Sequence, residues 1–103
     1  MENRLKEWID ARLTKVNEMS ETDLLKKIKE ELAPTGKFYK SQNEWFLQVN
    51  DSLIIQVRIN RRYCPINEVP AQLLLKQTGA DKVLVVIVNN SLVSYKTVLL
   101  SED

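Results

Sequence analysis

Two alternating runs in the middle of the chain, Glu44 to Val49 and Leu53 to Ile59, constrain the fold more than any other feature. Both have the period-two apolar pattern of a half-buried strand. Only Asn50-Asp51-Ser52 lies between them, so they read as one β-hairpin. The apolar residues decide its register. A three-residue loop pairs Val49 with Leu53, Leu47 with Ile55 and Trp45 with Val57, and these six make one apolar face. The other face then holds Glu44 opposite Arg58, Phe46 opposite Gln56 and Gln48 opposite Ile54. A two-residue loop would place Glu44 opposite Val57 and scramble both faces, because a slip of one residue flips every side chain. The apolar pattern therefore selects the register that groups a carboxylate, an amide and a guanidinium. Asp51 reads as a turn residue.

The flanks supply helices and further strands. Leu5, Trp8, Ile9, Leu13 and Val16 are spaced for one face of a helix over residues 2–19. Trp8 on that helix reads as core or as a subunit interface. Ser20 is a good N-cap, with Asp23 three residues on, and a second helix runs to about Leu32 on a stripe of Leu24, Leu25, Ile28 and Leu32. Ala33-Pro34-Thr35-Gly36 stops it. Lys37 to Lys40 is a short strand candidate. A third helix, about Glu68 to Thr78, carries Val69, Leu73, Leu74 and Leu75, and Gly79 fits its C-cap. Lys82 to Asn89 is a β-branched run of the kind buried on both faces of a sheet. Asn89-Asn90-Ser91 is a turn, and Leu92 to Leu100 a last strand. The order α-α-β-β-β-α-β-β predicts an α/β (α+β) fold, a mixed central sheet flanked by helices.

Composition narrows the chemistry. With 103 residues one domain is expected, residues 1–19 an amphipathic helix and 20–100 the core. There is no histidine, which excludes Ser-His-Asp triads and His-based zinc sites. Two glycines and no Gly-rich loop exclude a P-loop or dinucleotide fingerprint. Any metal would be a hard cation held by oxygens, such as magnesium. The apolar runs are too short to span a bilayer, and Met1 to Lys6 shows no apolar core of a signal peptide. The single cysteine, Cys64, fits a reducing compartment, so a cytoplasmic protein that does not enter membranes is expected. Net charge is +1, but residues 37–63 carry Lys37, Lys40, Arg58, Arg61 and Arg62 against only Glu44 and Asp51. That basic stretch suits a surface facing phosphates, or a solvated hairpin edge guarded against aggregation.

Glu21 on a helix, Asn43-Glu44 opening a hairpin, Gln56-Val57-Arg58 on the next strand, then Ala71-Gln72-Leu73-Leu74-Leu75 and Ala80 to Val86 follow one another in order. This layout, over residues 20 to 90, resembles the restriction-endonuclease-like PD-(D/E)xK nuclease superfamily. That group includes Holliday junction resolvases and small homing endonucleases. The family has Pro-Asp where this chain has Asn43-Glu44, and Glu-x-Lys where it has Gln56-Val57-Arg58. Some homing endonucleases of the superfamily also use glutamine at that place. The resemblance implies a restriction-endonuclease-like, nuclease-like core over residues 20–100. It implies a DNA-binding, magnesium-dependent endonuclease, acting as a homodimer or homotetramer because so small a chain needs a partner to span two strands.

On that resemblance the catalytic residues are Glu21, Glu44, Gln56 and Arg58, with Glu44 and Gln56 as metal ligands. Magnesium would polarise the phosphate and activate water. Arg58, two residues on and so on the same face, would stabilise transition-state charge, but it cannot be deprotonated to act as a base. Lys37, Lys40, Arg61, Arg62 and Tyr63 would contact nucleic acid, by phosphate pairing and base stacking. Plainer readings stand beside these. Glu44 and Arg58 make sense as a cross-strand ion pair on an exposed hairpin face, and Glu21 as a first-turn acid favoured by the helix dipole. Arg61, Arg62 and Tyr63 make sense as loop surface. The alternative function is a catalytically inactive nucleic-acid-binding or protein-assembly module on the same fold.

Overall fold

The structure, a computed structural model, describes residues 1–61 and 65–101. Three helices come first: α1 (Glu2–Asp10), α2 (Leu13–Val16) and α3 (Glu21–Leu32). Strands β1 (Lys37–Ser41), β2 (Glu44–Gln48) and β3 (Leu53–Ile59) follow, then α4 (Val69–Thr78), β4 (Lys82–Asn89) and β5 (Leu92–Leu99). The five strands form one mixed sheet in the order β1-β2-β3-β4-β5. Neighbours are antiparallel except β3 and β4, which run parallel, with α4 as the crossover between them.

Turn chemistry sets the meander. Gln42 and Asn43 both have positive φ and join Ser41 to its partner Glu44. Asn90 and Ser91 do the same between Asn89 and Leu92. Such two-residue turns match the right-handed twist of the strands. Between β2 and β3 the Asn50 Oδ1 accepts from the backbone N–H of Ser52 and of Leu53, both at 2.9 Å, and the Val49 N–H donates to the Leu53 carbonyl at 3.0 Å. That three-residue loop produces the pairs Leu47–Ile55 and Gln48–Ile54, the register selected by the apolar pattern.

Each face of the sheet is covered. Leu47, Val49, Leu53, Ile55 and Val57 of the hairpin, with Leu84, Val86 and Val88 of β4, pack against Leu5, Ile9, Leu24, Leu25 and Ile28. Phe46, Ile54, Val83, Val85 and Val98 pack against Ala71, Leu74 and Leu75 of α4. β4 is buried on both faces from Val83 to Val86, as its β-branched run predicts. Ser20 caps α3, its Oγ accepting from the Asp23 N–H at 3.1 Å, and the predicted stripe Leu24, Leu25, Ile28 and Leu32 is buried. Gly79, at φ 72°, closes α4.

The structure departs from expectation in several places. The helix expected over residues 2–19 is broken at Ala11 and Arg12. In an unbroken helix the Arg12 N–H would donate to the Trp8 carbonyl. Instead it donates to the Ile9 carbonyl, and the Arg12 guanidinium takes the Trp8 carbonyl at 3.1 Å while lying over the Trp8 ring. Trp8 itself is core, with its indole N–H on Glu31 at 3.2 Å. On α4, Val69 and Leu73 face solvent, and Pro70 and Ala71 share the buried side with Leu74 and Leu75. Finally, the hairpin face that carries Gln56 and Arg58 is not an exposed one. These two are only 4% and 5% exposed. None of the helices among the described residues is long and apolar enough to cross a membrane.

Candidate functional site

Three segments converge at one end of the β2–β3 hairpin. Glu44 opens β2 directly after the Gln42-Asn43 turn. Glu21 is the first residue of α3, placed there by the Ser20 cap. Arg61 arrives because Asn60, at φ 52°, turns the chain off the end of β3. Asn60 is held in that left-handed conformation, one that asparagine tolerates better than most residues. Its N–H donates to the Val88 carbonyl at 2.7 Å, its Nδ2 to the Asn17 carbonyl at 3.1 Å, and its Oδ1 accepts from the Asn90 N–H at 3.0 Å.

The Arg61 guanidinium lies between the two glutamates. Its Nε donates to Glu21 Oε2 at 2.7 Å and its Nη2 to Glu21 Oε1. Nη1 and Nη2 reach Glu44 Oε1 and Oε2 at 2.9 and 3.0 Å. Glu21 Oε2 also accepts from the Ile59 backbone N–H at 2.8 Å, which ties α3 to the end of β3. Glu44 Oε2 accepts in addition from Gln56 Nε2 at 2.9 Å. Hydrogen bonds from Arg61 hold the Glu44 carboxyl below the usual carboxylate range, against the opposing effect of burial; the charge of Arg61, the Gln56 amide and the charge of Arg58 add to this. The same contacts, with Glu21 first, raise the pKa of Arg61.

Glu21, Glu44 and Gln56 are therefore joined through one network, and Arg58 acts on Glu44 through its charge. Among the described residues, the ion pair that Glu44 makes is with Arg61. Lys40 pairs with Trp45, next to Glu44, and its ammonium lies 5.4 Å from the centroid of the Trp45 ring. Lys37 pairs with Gln48, at the opposite end of the β1–β2 ladder from Glu44. Arg61 belongs to the carboxylate cluster rather than to an outer loop surface. Arg62, Tyr63 and Cys64 lie outside the described residues. Sequence reasoning missed the bridging role of Arg61; the one signal for it was Asn60, a residue suited to turning the chain back at the end of a strand.

Oxygens from Glu21, Glu44 and Gln56 are the donor types a hard cation takes. Among the described residues there is no group of three or more His, Cys, Asp or Glu side chains placed to hold a metal. The space between the two carboxylates is filled by the guanidinium, and Gln56 turns its nitrogen, not its oxygen, toward Glu44. Ligation by Glu44 and Gln56 therefore requires Arg61 to withdraw and the Gln56 amide to rotate. Comparisons with protein-family models, curated proteins and solved structures found no match to this chain.

Proposed function

We propose that this chain is a restriction-endonuclease-like protein that binds DNA and hydrolyses its phosphodiester bonds with magnesium. The observation that carries the reading is the convergence of Glu21, from a helix, with Glu44 and Gln56, from two strands, in one network. The run α3-β1-β2-β3-α4-β4, with its hairpin and the parallel β3–β4 pair, also follows the order that the sequence resemblance implies. Glu44 and Gln56 would hold the ion, with Glu21 facing it from α3. When bound, magnesium supplies Lewis-acid polarisation of the phosphoryl group. Arg58 is a fixed positive charge near Glu44 that favours the extra negative charge of the transition state. Arg61, released from the glutamates, is free to pair with a phosphate. A homodimer or homotetramer would let two such sites address two strands.

A second reading, a catalytically silent nucleic-acid-binding or assembly module, is favoured by one observation: the Arg61 guanidinium already neutralises both glutamates. Incubation with supercoiled plasmid and with a branched DNA junction separates the two. Nicking that needs magnesium or manganese, stops with chelator and is lost in Glu44→Ala is the expected result. Undiminished cleavage after both Glu44→Ala and Gln56→Ala would sink the site assignment. A salt-sensitive gel shift without cleavage would move the reading to the silent module.

A further inference from the structure

A groove of ≈ 430 Å³ opens beside the carboxylate cluster, between Thr22, Leu25 and Lys26 of α3 and Phe38 and Trp45 of the sheet. Its volume lies in the range, roughly 300–1,000 Å³, of small-ligand sites. Thr22, Leu25 and Trp45 also line the smaller hollow bounded by Glu21, Glu44 and Arg61, so groove and cluster adjoin. The aromatic rings sit on a face of the sheet that α3 covers only in part. The pairs Phe38–Leu47 and Lys40–Trp45 put all four residues on the face that α3 packs against. Leu47 is fully buried there, whereas Phe38 and Trp45 stay 39% and 42% exposed. Lys26 stands on one wall, Lys40 lies over the Trp45 ring, and no carboxylate lines the groove among the described residues.

We propose that this groove is a nucleobase subsite, in which an unpaired base of a single strand stacks on Trp45 and Phe38 while Lys26 and Lys40 meet the flanking phosphates. Exposed aromatics between cations are the pattern by which proteins hold single strands: every base has a π-face, and the cations follow the backbone. Lys26 and Lys40, both exposed, add positive charge beside the rings that a purely apolar peptide would not use. The inference rests on reading the adjacent glutamates as a phosphodiester site, and it narrows the substrate class to DNA with unpaired bases, such as a frayed end, flap or branch.

The test is fluorescence anisotropy of a dye-labelled oligothymidylate and of a matched duplex, with the intact chain in chelator. Tryptophan emission is followed in parallel, since Trp45 is half-exposed and Trp8 buried. The single strand is expected to bind more tightly than the duplex and to quench the emission. Trp45→Ala is expected to weaken single-strand binding about tenfold or more, with Trp45→Phe restoring most of it. Lys26→Ala is expected to reduce the slope of log K against log salt by about 0.7. Wild-type affinity in both Trp45→Ala and Phe38→Ala would overturn the proposal. So would emission that shifts with protein concentration alone, marking a second copy, or with an apolar peptide and not the oligonucleotide. Cleavage is a separate axis. Binding through Trp45 with no cleavage would sink only the catalytic reading, and Glu44-dependent cleavage indifferent to Trp45 would sink only the subsite.

Discussion

At the scale of single residues, Arg61 is the group on which the candidate site turns. It serves both glutamates at once, and removing it would leave two half-buried carboxylates facing each other. Arg61→Ala is expected to lower stability at neutral pH by about 2 kcal/mol, measured as a shift in urea midpoint. The pH dependence has a definite sign. Because the folded Glu44 carboxyl is held below its ordinary 4.5, its contribution is complete above that pH and fades as pH falls through the lowered folded value. Without Arg61 the main cause of that lowering is gone. The stability gap between wild type and Arg61→Ala should therefore narrow on acidification below about pH 4.5. A gap that is the same at pH 7 and pH 3.5 would show that Arg61 is not what holds the Glu44 carboxyl below its ordinary range. The carboxylate and amide of this site were legible in the sequence, because period-two alternation puts Glu44 and Gln56 on one face. Arg61 was not, because its position depends on the left-handed turn at Asn60, which is stabilised by Asn17, Val88 and Asn90 from distant segments.

At the scale of elements, local signals decided most boundaries. The Ser20 cap, the Gly79 stop and the Asn50 turn each act through a hydrogen bond or a φ value that neighbours in sequence can satisfy. Gly36 shows a tighter constraint. A Cβ there would lie 2.8 Å from the Gln48 carbonyl oxygen, 3.0 Å from that of Ala33 and 3.1 Å from Leu47. Backbone oxygens on two sides leave little room to yield, so Gly36→Ala is expected to cost about 1–3 kcal/mol and to lower the melting temperature. Wild-type melting would mean that the connection from α3 to β1 relaxes more freely than its contacts imply. The first helix is the contrasting case. Its apolar spacing was continuous, yet the helix breaks at Ala11 and Arg12, where the Arg12 guanidinium takes the Trp8 carbonyl that its N–H would have taken. A side-chain hydrogen bond of that kind has no periodic signature. On α4, likewise, Val69 and Leu73 follow helical spacing but point away from the sheet. Nothing in the spacing itself says which arc of a largely apolar helix will be covered.

At the scale of the molecule, a sheet whose central strands are buried on both faces explains how polar groups come to sit in the interior. Phe46 is fully buried under α4, on the same face of the sheet as Gln56 and Arg58. Phe46→Ala is expected to cost about 3–5 kcal/mol, read from chemical denaturation, out of a total of about 5–15 kcal/mol for a domain. A loss below 1 kcal/mol would mean that α4 settles into the space and that this half of the core is loosely packed. The sequence by itself determined the hairpin register, the burial of β4 and the cap of α3, because each follows from periodicity or turn chemistry within a few residues, and the order of those elements implied the mixed sheet with its crossover helix. Tertiary structure alone decided that the face bearing Gln56 and Arg58 is interior, that Trp45 and Phe38 stay partly uncovered, and that Glu21 and Glu44 share one guanidinium. Those outcomes depend on where α3 ends, how α4 lies across the sheet and how Asn60 is held, which are distances between segments that no local pattern encodes.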